Sequence, residues 1–142
     1  MFSASVIPPN LIQAYLETHF HVHEDKPFAI RIGELSPELK ALHQLKQVHS
    51  SCFLTPCNPE SVQLEQAENN QKLSDFRTDK LLQGFELVSG LGQHPTDIRE
   101  GEESYLVLGI SLKEAKEIGQ KYKQNAIVWI GSDAIPELVL LR

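Results

Sequence analysis

The stretch SLKEAKEIGQKYKQNAIVWI, Ser111 to Ile130, decides how the rest of the chain is read. Ser111 and Glu114 have the spacing of a reciprocal helix cap, in which the hydroxyl accepts a backbone N–H from the third helical residue and the carboxylate reaches back to the serine N–H. Behind them Ala115, Ile118, Gly119 and Tyr122 recur at helical spacing, with Lys and Glu between. Ala126–Ile130 is then an unbroken apolar run of strand length, rich in β-branched residues. The segment before it, Ser104 to Ile110, has the same character, so this region predicts a β-α-β unit.

Working outward, Gly131-Ser132-Asp133 turns the chain and Glu137–Leu141 follows Pro136 as a last strand. On the other side, Phe85–Val88 reads as a strand. Gly90, Gly92, Pro95 and Gly101 then predict a loop of roughly a dozen residues, a candidate lid. Gln66–Leu82 reads as a long helix with Asn69, Leu73 and Phe76 on one face and Gly84 closing it. Cys52–Thr55 is a short strand that Pro56 and Pro59 terminate, because proline has no N–H for a ladder.

Nearer the N-terminus, Ser36-Pro37-Glu38 supplies a cap, a proline at the first helical position and a first-turn acid for a helix carrying Leu39, Leu42 and Leu45. From Thr18 to Ile32, Phe20 and Val22 alternate with His19, His21 and His23, which predicts a β-hairpin. A first helix carries Leu11, Ile12, Tyr15 and Leu16. The expected fold is α/β (α+β): a mixed, antiparallel-rich sheet with a ferredoxin-like βαββαβ core from Cys52 onward, preceded by a helix, a β-hairpin and a second helix. Residues 1–142 read as one domain, with 1–9 a loosely ordered arm.

Composition narrows the function classes. Apolar residues are 41% and charged residues 23% of 142, the profile of a chain that buries a core. Nineteen acidic and thirteen basic side chains leave a net charge of −6, which repels phosphate backbones. The Lys-rich stretch Lys113–Lys123 interleaves Glu114 and Glu117 and reads as a solvated helix face, so nucleic acid is not an expected partner. Met1–Pro9 lacks a basic start and a long apolar segment, giving a cytoplasmic expectation without a membrane partner. Cys52 and Cys57 are spaced for neither zinc nor redox chemistry and read as reduced thiols.

Five short pieces in order carry a resemblance: Arg31-Ile32-Gly33 with Ser36-Pro37; Phe53-Leu54-Thr55 with Asn58-Pro59 and Ser61; Glu68-Asn69; Glu102-Glu103-Ser104; and Gln124-Asn125-Ala126. In these the chain resembles the bacterial family called domain of unknown function 3293, over roughly Leu11 to Leu141. The resemblance implies a small stand-alone bacterial protein and brings no mechanism with it. It departs at Glu65, where a Ser or Thr cap for the long helix is expected.

Thr55, Asn58, Asn69, Glu103, Gln124 and Asn125 all fall near strand ends or on the apolar side of the long helix. An Asn on a buried stripe needs its amide satisfied, and either a ligand or a loop carbonyl can do that. Arg31 reads as a partner for Glu103 or for an anionic ligand. These seven form the candidate ligand-binding set, with Glu103 as the acid/base candidate if there is catalysis. His19, His21 and His23 project from one strand face at a spacing that lets two imidazoles share a metal, but no companion ligand motif supports them, and neither metal nor cofactor is expected. Cys52 or Cys57 with His49 or His94 lacks any sequence signal placing thiol and imidazole together, and Gly90-Leu91-Gly92 is too short for a phosphate loop. The expected function is a noncatalytic module that binds a small molecule or a protein and can self-associate. The alternative is a small enzyme acting on a polar metabolite or nucleotide at the sheet edge.

Overall fold

The computed structural model describes residues 5–96 and 101–142. The described elements are α1 (Pro9–Glu17), β1 (His19–Val22), β2 (Phe28–Ile30), α2 (Pro37–Lys46), β3 (Ser51–Leu54), α3 (Gln66–Arg77), β4 (Glu86–Gln93), β5 (Glu102–Leu108), α4 (Leu112–Lys121), β6 (Ala126–Ile130) and β7 (Pro136–Leu140). Both halves of the cap at Ser111 and Glu114 are formed, each at 3.1 Å. Ser36 Oγ accepts the Leu39 N–H at 3.1 Å, with Pro37 in the first helical position of α2.

All seven strands join one antiparallel sheet in the order β2-β1-β4-β5-β3-β6-β7. Because β3 runs antiparallel to both β5 and β6, it lies between two strands that are parallel to each other and joined through α4. By the same logic β5 lies between β3 and β4, which α3 joins. The fold is therefore a mixed α/β arrangement built from interleaved crossovers, and its sheet is antiparallel at every pairing rather than mixed, because an inserted strand separates each pair of parallel neighbours.

Period-two alternation sorts the apolar residues onto two faces. Phe20, Val22, Ile30, Phe53, Val88, Leu106, Val128 and Ile130 gather on one face around Leu39 and Leu42 of α2. Cys52, Leu54, Val107 and Ile127 meet Phe76 of α3 and Ala115 and Ile118 of α4 on the other. The sheet is strongly curled. Gly33 N–H, three residues beyond β2, donates to Pro136 O at the start of β7 at 2.8 Å, and Ser36 N–H donates to Ala134 O at 3.0 Å. Seven flat strands would hold their edges about 29 Å apart, whereas three residues reach only about 10 Å. The curl brings β2 and β6 side chains into one cluster and leaves α2 inside it. Burying Leu39 and Leu42 there contributes about 1.5–3 kcal/mol each.

Two predicted element ends move by five residues each, the rest by two or fewer. β4 continues through Gln93, so Gly90 and Gly92 belong to a strand and not to a lid; residues 97–100 of that predicted loop lie outside the described residues. The reason is close approach. A Cβ on Gly90 would fall on the His21 carbonyl and the Phe53 ring, so glycine here lets β1 pair with β4 over the core. The long helix α3 ends at Arg77 rather than Leu82, because the Asp79 carboxylate accepts the Leu81 N–H at 2.9 Å and starts a separate short turn that delivers Leu82 to the core. Before α1, Ile7 is buried and Ser5 Oγ donates to Arg142 O at 2.7 Å.

Gly90→Ala is expected to destabilise the fold by about 1–3 kcal/mol through overpacking against backbone and an inner ring. Urea unfolding checks it; a midpoint equal to that of the wild type would show that β1 and β4 tolerate a methyl group there.

Candidate functional site

The antiparallel placement of β3 between β5 and β6 brings the end of β3 and the starts of β5 and β6 to one end of the sheet. Pro56 stops β3 there, and the chain leaves as a loop running to Glu65. Asn58, Glu60 and Ser61 have φ of 47°, 54° and 62°, a left-handed conformation that Asn adopts more readily than Glu or Ser. A loop bent this way needs ties, and most of the polar residues singled out in the sequence supply them.

Thr55 Oγ1 donates to Glu103 O at 2.6 Å and accepts the Cys57 N–H at 3.0 Å. Asn58 and Asn69 form a reciprocal pair: Asn58 N–H donates to Asn69 Oδ1 at 3.0 Å, and Asn69 Nδ2 donates to Asn58 Oδ1 at 2.8 Å. Asn58 Oδ1 also accepts the Leu64 N–H at 2.9 Å, while its Nδ2 donates to Glu102 Oε2 at 2.8 Å. Gln124 Nε2 donates to Cys57 O at 3.0 Å. Asn125 Nδ2 donates to Tyr15 OH and Ser61 Oγ at 3.2 and 3.1 Å, and its Oδ1 accepts from Arg142 at 2.9 Å. Thr55, Asn58, Asn69, Gln124 and Asn125 thus meet around one loop, and they spend their hydrogen bonds on it and on one another.

Arg31 and Glu103 do not join them as a pair. Arg31 is exposed beside the edge strand β2 and lies 3.6 Å from Glu34. Glu103 contributes its carbonyl to Thr55, while its side chain is exposed. The carboxylate that reaches the network is Glu102, one residue earlier. Burial pushes its pKa above the ordinary value, and the hydrogen bond from Asn58 recovers only part of that. The sequence clue was phase: Glu102 shares its parity with Ser104, Leu106 and Leu108, but the apolar run through Ile110 hides the alternation. Tyr15 and Arg142 join Ser61 around Asn125 only because α1 and the residues after β7 meet at this end of the sheet, which no local pattern encodes.

His19 and His21 are half-buried with ring centroids 6.4 Å apart, and His23 is exposed. Among the described residues no group of three His, Cys, Asp or Glu side chains is close enough to hold a metal ion. Cys52 and Cys57 are both free and buried, and burial pushes the Cys57 thiol up to about 11, which suppresses the reactive thiolate.

On the far side of the clamped loop lies a groove of about 790 Å³ between α3 and the end of α4. Pro59 and Leu64 form the loop side; Glu68, Lys72 and Asp75 come from one face of α3; Lys80, Lys121, Tyr122 and Lys123 close the rest. Asp79 is buried at its base, accepting from Tyr122 OH at 2.8 Å and pairing with Lys121 at 2.7 Å. Burial pushes the Asp79 carboxyl up, but the hydrogen bonds from Lys121, the Leu81 N–H and Tyr122 outweigh it and hold it below its ordinary value. Lys72, Lys80 and Lys123 have no ion-pair partner among the described residues.

Because the folded chain holds the Glu102 proton more tightly than the unfolded chain does, its contribution to stability is present at low pH and is lost as pH rises through its elevated pKa. Glu102→Gln keeps an acceptor for Asn58 and removes the buried charge. It is expected to raise the melting temperature at pH 7, with the advantage over wild type shrinking as pH falls through the carboxylate range; a pH-independent difference would contradict this.

A family model described as protein of unknown function (DUF3293) matches residues 54–127. The span runs from the last residue of β3 into β6, so it contains the clamped loop, Asn58, Asn69, Glu102 and every residue lining the groove, but not Arg31. No curated protein and no solved structure matches the chain. The match covers more than half of the 142 residues, and the chain belongs to the DUF3293 family.

Proposed function

We propose that the protein is a noncatalytic binding module that takes a small anionic molecule, bearing a carboxylate or phosphate, in the groove between α3 and α4. One observation carries the reading: Lys72, Lys80 and Lys123 line a single groove without ion-pair partners among the described residues, on a chain whose net charge is −6. Four lysines line the groove against Glu68, Asp75 and Asp79, a local excess of one positive charge that a bound anion relieves. The polar set around Asn58 acts as the scaffold of this site, holding Pro59 and Leu64 in place as one wall.

The order β4-β5-β3-β6, all antiparallel with α3 and α4 as crossovers, supports a ferredoxin-like core as the frame of the site. Free buried thiols support a reducing compartment, and with the family they favour the bacterial cytoplasm. Glu102 favours one second reading, a small enzyme acting on a polar metabolite. Its carboxyl is held by Asn58 and carries a raised pKa, the combination a general acid needs.

Titration calorimetry at low salt with inorganic phosphate, citrate and a nucleoside monophosphate tests the binding reading. At least one probe is expected to bind, with affinity falling as salt rises, and Lys72→Ala combined with Lys123→Ala is expected to weaken it about tenfold, near 1.4 kcal/mol. Absence of binding by all three probes, or equal affinity in the variant, would remove the groove as the site.

A further inference from the structure

We propose that the groove between α3 and α4 takes a zwitterion of net negative charge, carrying one ammonium group beside two or more carboxylates, as an acidic amino acid or a short acidic peptide does. The inference rests on the binding reading above and names its ligand class. The groove holds charges of both signs. Asp79 neutralises Lys121 at 2.7 Å, which leaves Lys72, Lys80 and Lys123 facing the carboxylates of Glu68 and Asp75. Among the described residues none of these five has an ion-pair partner, and Asp75 accepts one neutral hydrogen bond, from Gln71 at 2.9 Å.

Helix geometry makes the missing pairs informative. Glu68, Lys72 and Asp75 stand on one face of α3, and a Glu four residues before a Lys is in the favoured order for pairing along a helix. Here these side chains line the groove without closing on one another. Tyr122 locates the Asp75 charge independently: burial first, then the Asp79 and Asp75 carboxylates, push its hydroxyl above the ordinary range, so Asp75 is felt from the α4 side of the groove. A plain anion attracted to the lysines is repelled by Glu68 and Asp75, and an ammonium group on the same ligand turns that repulsion into attraction. Two carboxylates with one ammonium also match the local excess of one positive charge. At about 790 Å³ the groove falls within the size range that encloses a whole small molecule rather than a single phosphate or carboxylate ion.

Titration calorimetry of the full chain at low salt compares probes that differ by one ammonium: glutamate against glutarate, and triglutamate against N-acetyl-triglutamate. The ammonium-bearing member is expected to bind about two- to fivefold tighter, the range of exposed ion pairs. A preference in the first pair with no gain from the longer chain identifies a free amino acid as the ligand; a preference confined to the second pair identifies a peptide. Glu68→Gln combined with Asp75→Asn, both at exposed positions, is expected to abolish the preference while glutarate still binds. Equal affinity within both pairs, or a preference that survives in the double variant, would overturn this inference and leave the anion reading standing. Failure of all four probes to bind would overturn both.

Discussion

The structure depends on the burial of β3 on both faces. Ser51, Cys52, Phe53 and Leu54 are all buried, with Phe53 turned into the cluster around α2 and Cys52 and Leu54 into the one under α3 and α4. A strand with no solvent face has to be inserted between neighbours, and here these are β5 and β6. That insertion separates the strands joined by α4 and places the ends of three strands together. The polar His43 reaches Ser51 at 2.8 Å, tying α2 to the start of β3. Burial and the nearby His49 lower the His43 pKa, which favours the neutral imidazole in that contact.

Curling follows from covering two apolar faces with few helices. α2 alone serves the inner face, and one helix cannot cover seven flat strands. Folding the sheet around it, with Gly33 and Ser36 donating to Pro136 and Ala134, removes the uncovered area and closes one end of the β2 and β7 edges. Beyond Pro136 the chain on the Gly33 side leads back into β2, which pairs with β1, so among the described residues Leu138 and Leu140 have no backbone partner across this edge.

The polar cluster at the other end ties the loop after β3 to the elements around it. Asn58 and Asn69 satisfy each other, Gln124 and Asn125 reach the loop at Cys57 and Ser61, and among the described residues no buried side-chain polar atom is left without a partner. Such a fully paired network fixes a loop whose backbone is otherwise unfavourable. Lys72, Lys80 and Lys123, which have no ion-pair partner among the described residues, lie one layer further out, on the groove walls.

Local spacing in the sequence specifies the capped α2 and α4, the strands β3 and β6, the stripe of Asn69, Leu73 and Phe76, and the positions of Thr55, Asn58 and Asn125 next to strand ends. Helical and strand periods and cap chemistry act over a few residues, so they can be read without knowing the rest. Local spacing does not specify that β4 runs through Gly90, that Glu102 and not Glu103 meets Asn58, that Arg31 stands apart, or that Lys72 and Lys123 share a groove. Each of these is set by register and curl between segments distant along the chain. Contacts of that kind are fixed by packing energy summed over the whole fold, which no local pattern encodes.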